Sequence, residues 1–316
     1  PGESKTIIWK VKNTGTGFLN DCVFEGFGDY LSWVSYGETK NLAAGEEYDF
    51  IFDLNIPENV GFGSYELGVV LNCKEASNLT KFNVEIIEKK FLFKVIKSTE
   101  LVKFLIYDHY NVFLPLLQSD LSFNYEKLAN HAKKFYDKIN TLYLKYKKKT
   151  TKHKSLMENM NRWSKLINQR QSSKIKVVYN NSGSILNSSV IQGNFLVTGD
   201  LSFYDSDNLC EAYYLSAILN SNVMTTNVKI MKSSRHIFKI PLDIPIKKFN
   251  EKSQNHCKLA ELGKNGQETA KSTVLALLEK NKNNLSKFKI QNILRKKLAR
   301  ILTQIDEILL KELRSS

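Results

Sequence analysis

Apolar and polar residues alternate with a period of two through the first part of the chain. Ile7 to Lys12 alternates cleanly, and Cys22 to Phe24, Tyr48 to Leu54, Tyr65 to Leu71 and Phe82 to Ile87 follow at short intervals. Asn13-Thr-Gly-Thr-Gly17 and similar turn residues separate these runs. Short β-rich runs punctuated by turn chemistry predict an all-β sandwich over residues 1–88. Trp9 and Trp33 fall within this pattern and are expected in its core.

The period then changes. Phe91 to Ile96 reads as a strand, and Leu101 to Leu117 is an apolar stretch that carries Asp108 and His109. No nucleophile accompanies that pair, so a packed or capped histidine is expected. Over residues 124–149, Leu128, Ala132, Phe135, Ile139, Leu142 and Tyr146 recur at alternating intervals of four and three, which predicts a long helix with one apolar seam. A second helical run places Leu156, Met160, Trp163 and Ile167 on one face. Residues 173–250 read as strands from Ser173 and Gly193, a helix from Glu211 to Leu219, a basic loop from Lys229 to Lys239, and a last strand stopped by Pro241 and Pro245. Two more helices are predicted over 256–280 and 286–313, the last with a seam at Leu294, Leu298, Ile301, Ile305 and Ile308. That seam matches the one over 124–149, and packing between the two is expected.

Charge divides the chain where the periodicity does. Residues 1–96 hold 9 Lys and Arg against 14 Asp and Glu, a net charge of −5, while the remainder holds 37 against 18, a net charge of +19. Such a change of sign marks modules with different partners, and the basic part suits a polyanion. Solvated lysine faces on structural helices remain the plainer account of the same residues. Four cysteines show no CxxC spacing, so neither a zinc site nor a disulfide framework is expected, although Cys22 and Cys73 are placed to pair across the first module. No run approaches the ~20 apolar residues of a membrane span, and no signal peptide is recognisable. The chain begins with Pro rather than Met, and a fragment of a longer protein is expected.

Several short words carry a resemblance. Glu211-Ala-Tyr-Tyr-Leu with Ala217-Ile-Leu-Asn-Ser221, Arg235-His-Ile, Ile244-Pro-Ile, and His256 followed by Leu259-Ala-Glu-Leu262 stand in an order that resembles the C-terminal target-recognition region of adenine-specific DNA methyltransferases, including those of type II restriction-modification enzymes. The likeness covers about residues 91–316. Residues 1–88, through Val11-Lys-Asn-Thr-Gly, Leu42-Ala-Ala-Gly-Glu and Ile56-Pro, resemble immunoglobulin-like repeats of archaeal and bacterial surface proteins. The implied fold is multi-domain: an all-β immunoglobulin-like sandwich (1–88), a connector (89–123), a helical segment (124–172), a β-rich target-recognition region (173–250) and C-terminal helices (251–316), the last four forming an α+β domain with long helices.

The resemblance implies double-stranded DNA as the partner and a cytoplasmic location. Amides, hydroxyls and guanidinium groups match the donor and acceptor pattern of base edges. Asn180, Asn181 and Ser182 lie in one polar run, and Lys229, Lys232, Ser233, Ser234 and Arg235 in another. Arg162, Arg170, Lys174 and Lys176 are expected to border the groove through phosphate contacts. Asn180-Asn-Ser-Gly is equally a turn signal, and Arg235 equally a partner for Glu211 or Asp243. The Gly-rich loop and the N-P-P-Y motif of the methyltransferases are missing, as is a nuclease pattern. S-adenosylmethionine, the methyl donor, is therefore expected in a catalytic domain elsewhere in the full-length chain or on a partner subunit, and no metal site is expected. The alternative is a structural or adhesive protein with a sandwich head on a basic helical stalk; sequons at Asn78, Asn180, Asn187 and Asn284 would suit it.

Overall fold

The computed structural model describes residues 2–35, 37–232, 234, 236–280 and 286–314. The molecule is a mixed α and β protein with several small sheets, and it divides into two compact units. One comprises residues 1–89 with 128–141, the other residues 90–127 with 142–316.

The first unit holds two antiparallel sheets. β1 (Ser4–Lys12), β5 (Glu47–Asn55) and β3 (Val34–Ser35) form one, in the order β1-β5-β3. β4 (Lys40–Leu42), β2 (Leu19–Phe27), β6 (Gly63–Asn72) and β7 (Ser77–Ile86) form the other, in that order. Side chains alternate along β5, where Phe50, Phe52 and Leu54 are buried between exposed neighbours. These meet Phe24 of β2 and Leu67, Val69 and Leu71 of β6 in one core, which also takes in Trp33 and, half-buried, Trp9. Trp9 lies within 6.3 Å of the rings of Phe24, Phe52 and Phe82, so both tryptophans pack inward as expected. Gly45 sits at φ +78, in the turn that Glu46 closes onto the Ala43 carbonyl, a conformation that favours glycine. Cys22 and Cys73 form a disulfide, so the pairing that spacing allowed is realised.

α1 (Asn130–Tyr146) is shorter than the predicted 124–149 helix. The Asn124 side chain accepts from the amides of Glu126 and Lys127, which turns the chain before the helix begins. Within the first unit, the Glu88 carboxylate accepts from the amides of His131 and Ala132 at its start, an anion on the positive end of a helix. Its seam is buried at Leu128 and Ala132 but exposed at Leu142 and Tyr146.

In the second unit β8 (Leu92–Ile96) is central to a sheet with β11 (Tyr110–Phe113), antiparallel, and β14 (Phe195–Val197), parallel. β9 (Leu101–Val102) and β10 (Leu105–Ile106) form a short hairpin. β13 (Ser188–Gln192), β12 (Ile175–Asn180) and β15 (Leu201–Asp205) make an antiparallel sheet in that order. β12 is buried at every position from Lys176 to Asn180, and α3 (Leu209–Asn220) packs on it and on β13. α6 (Gln254–Lys280) crosses α3 closely at Gly263, where a Cβ would come within 2.2 Å of the Tyr213 carbonyl oxygen.

Four expectations are corrected here. The helical run from Leu156 ends after α2 (Leu156–Met160), because the Asn161 side chain accepts from the amides of Leu166 and Ile167 and Trp163 turns to φ 59. The basic segment from Lys229 begins inside α4 (Asn222–Met231), whose start is held by Ser221 and by the Asp306 carboxylate. The predicted strand around Pro241 is a helical turn, α5 (Ile240–Asp243), in which proline occupies the first turn where its missing N–H is no loss. The predicted 286–313 helix is two, α7 (Lys287–Lys297) and α8 (Ala299–Arg314). Their buried seam runs through Leu294, Leu298, Leu302, Ile305 and Leu309, one position on from Ile301 and Ile308. It packs on α6, with α3 and α4.

Candidate nucleic-acid interface

The two polar runs singled out in the sequence come together. The Ile237 amide donates to the Asn181 carbonyl at 2.8 Å, and Ser182 bridges to His236 in β fashion. The Lys232 ammonium donates to the Gly183 carbonyl at 2.6 Å. The 181–187 loop and the segment that follows α4 therefore form one rim. Ser233 and Arg235 lie outside the described residues. Ser234 is exposed on the rim, where its Oγ accepts from the His236 amide.

The asparagines act beneath that rim rather than on it. The Asn180 Nδ2 donates to the carbonyls of Ser182 and Ile185 at 2.7 and 3.0 Å, and its Oδ1 accepts from the Asn187 amide at 2.8 Å. One buried carboxamide thus templates the whole loop. Asn181 donates to the Gly199 carbonyl and accepts from the Ser202 hydroxyl. Both are nearly solvent-free and have those groups engaged, so neither presents a free amide to a base edge. The turn-forming side of their double reading is the one the geometry displays. Ser182 stays exposed, whereas Ser188 and Ser189 are buried in β13.

The cations expected to border a groove divide in the same way. Lys176 is fully buried, its ammonium donates to the Ser173 carbonyl, and burial holds it down to about 8. It faces the interior. Lys174 is exposed and reaches Asn194. The Arg170 Nε donates to the Asp205 carboxylate at 2.5 Å, so its charge is already paired within the fold. Arg162 lies 3.9 Å over the ring of Trp163, which is 72% exposed, with the Lys165 ammonium 5.4 Å from the same ring. Arg162 and Trp163 thus present a cation and an indole together to solvent.

Lys229 stands elsewhere, at the mouth of a cleft beside the rim. α4, α7 and the start of α8 form its walls, and the 181–187 loop contributes Ile185 and Asn187. Lys103 reaches into it from the β9–β10 turn, donating to the Leu186 carbonyl at 3.3 Å and to the Asn220 carbonyl. Burial pulls the Lys103 ammonium down to about 8, against a smaller opposite pull from Asp306. Arg295 of α7 faces the same space, and no Asp or Glu lines it among the described residues. Sequence reasoning missed Lys103 and Arg295. Lys103 stands alone between the apolar Val102 and Phe104, and a charge in so apolar a setting is a signal; Arg295 opens an Arg-Lys-Lys run.

The remaining expectations concern groups this geometry leaves structural. His109 packs edge-on against Phe195, 5.5 Å between rings, with its amide bonded to the Asp108 carboxylate. His256 is buried against Tyr214 and accepts the Asn250 amide through Nδ1. Among the described residues no group of side chains could hold a metal ion, and no helix is long and apolar enough to cross a membrane.

Compared with family models and with curated protein sequences, the chain matches neither.

Proposed function

We propose that the second unit recognises double-stranded DNA, as the specificity part of an adenine-specific DNA methyltransferase or restriction-modification enzyme. In this reading the first unit is an immunoglobulin-like sandwich and the second an α+β target-recognition domain. The observation that carries the reading is the meeting of the 181–187 loop with the segment after α4, beside a cleft lined by Lys103, Lys229 and Arg295. Exposed hydroxyls and cations on one rim supply base-edge partners and phosphate partners side by side. The net charge of +19 on residues 97–316 supplies the long-range attraction. The methyl donor belongs to a catalytic domain outside this sequence. The cleft does not suit it: a cation-lined space with no carboxylate opposes a sulfonium and offers no acidic partner for ribose hydroxyls.

The test is duplex binding, followed by fluorescence anisotropy, for the full chain and for Lys229→Ala with Lys232→Ala. Each lost phosphate contact lowers the salt slope by about one, so the double variant binds more weakly and with a slope smaller by one to two. An unchanged affinity and slope would remove the rim from the interface.

A second reading, a secreted structural or adhesive protein, is favoured by one observation, the Cys22–Cys73 disulfide, since such bonds persist in oxidising compartments. The exposed free thiols of Cys210 and Cys257 favour a reducing one, and with it the cytoplasmic location of the first reading.

A further inference from the structure

The cleft that Lys229 lines is a cavity of about 420 Å³. That is the size of a small-molecule site, on the order of 300–1,000 Å³, and far too small to admit a duplex. We propose that it binds a phosphate monoester with an apolar or aromatic body, a ligand of mononucleotide size.

Three features select that chemistry. The first is charge. Lys103, Lys229 and Arg295 converge on the cavity, and neither Lys229 nor Arg295 is in an ion pair among the described residues. Asp306, the carboxylate that faces Lys103, is engaged by the amides of Asn222 and Val223 and by the Asn222 side chain. Three cations against one engaged carboxylate suit a dianion better than a carboxylate ligand, and a guanidinium beside two ammonium groups suits phosphate oxygens.

The second is an unpartnered buried hydroxyl. Thr225 is 8% exposed and lines the cavity, and its Oγ1 has no hydrogen-bond partner among the described residues. A buried hydroxyl without a partner is disfavoured unless something else meets it. The Lys103 ammonium likewise has a third donor beyond the two carbonyls it already serves. The third feature is shape. Ile185, Leu294 and Leu302 give the rest of the wall an apolar character that a phosphate alone would leave unused and a nucleoside body would cover.

This inference does not depend on duplex binding, because internal duplex phosphates are diesters and share only Lys229, at the cavity mouth, with the ligand. Calorimetric titration of the full chain with adenosine 5′-monophosphate, adenosine and inorganic phosphate tests it. The monophosphate binds more tightly than either fragment. Arg295→Ala with Lys229→Ala, both surface positions, weakens it about tenfold or more while leaving the thermal transition in place. Lys103→Met, checked for folding by circular dichroism, weakens it as well. A 5′-phosphorylated oligonucleotide compared with its 5′-hydroxyl twin separates the two sources of the group. Preference for the phosphorylated strand over the free nucleotide assigns the site to a nucleic-acid end, and the reverse assigns it to a free metabolite. The proposal is overturned when neither monoester binds better than its unphosphorylated counterpart, or when the double variant binds as the parent does. Failure of the parent chain to bind a 5′-hydroxyl duplex, with the monophosphate still bound, overturns the DNA reading alone.

Discussion

Lys103 shows how one residue can be set by its surroundings. Its ammonium is enclosed by carbonyls and held down to about 8, whereas the unfolded chain has the ordinary lysine value of 10.5. Between those values the unfolded chain binds more protons than the folded one, so stability rises with pH across that window. Lys176, buried and also held down to about 8, adds to the same rise. Urea unfolding of the parent from about pH 7.5 to about pH 10 should therefore show increasing stability, and Lys103→Met should flatten part of that increase. Equal slopes for the two proteins would show that the Lys103 ammonium is not enclosed. The asparagines teach a related lesson. Asn180 and Asn181 carry the residue type that reads bases, yet their amides are used to shape the loop above them. Residue type was legible in the sequence; the direction in which each carboxamide faces depends on loop closure and was not.

At the scale of elements, local patterns predicted what local forces decide. The period-two runs of the first unit stand where alternation places them, and the helix predicted from Glu211 to Leu219 lies inside α3, which starts two residues earlier on the Asn208 cap. Elements fixed by distant partners were not legible. α4 starts on a carboxylate 84 residues away, at Asp306, and the long run before Ile167 is broken by a side chain that captures later amides. The seam of α7 and α8 was readable as a seam, but its phase moved by one residue and its partner is α6. A glycine in the middle of a helix is the visible trace of such a partner. Gly263→Ala improves the intrinsic helix propensity of α6 by about 1 kcal/mol. It also drives a methyl group into the Tyr213 carbonyl of α3, with Ala217 close behind. Overpacking of this kind costs about 1–3 kcal/mol, so the variant should be less stable in denaturant unfolding. A stabilised variant would mean that α3 and α6 are farther apart.

For the whole molecule, the division into two units separates two kinds of stability. The first unit is closed by a disulfide spanning 51 residues of sequence, and the second has none among its described cysteines. Reduction should lower the unfolding midpoint of the first unit alone, by about 2–4 kcal/mol of stability, and leave the second transition where it was. Calorimetry with and without reductant reads both transitions; a shift of the second would show that the units unfold as one. The charge boundary near residue 96 lies close to the end of the first stretch of unit one, but residues 128–141, with Lys133, Lys134 and Lys138, belong to that unit too, and charge along the sequence did not disclose this. The cleft beside the rim was not disclosed, because Lys103, Lys229 and Arg295 lie far apart along the chain and meet only once α4 and α7 are in place. The central claim is that this unit reads DNA sequence. Selection of bound duplexes from a random pool, at near-physiological salt, addresses it most directly. Enrichment of one short motif, with an affinity well above that of the unselected pool, is the predicted result. Recovery of a pool as random as the one supplied, or no retention even at low salt, would contradict it.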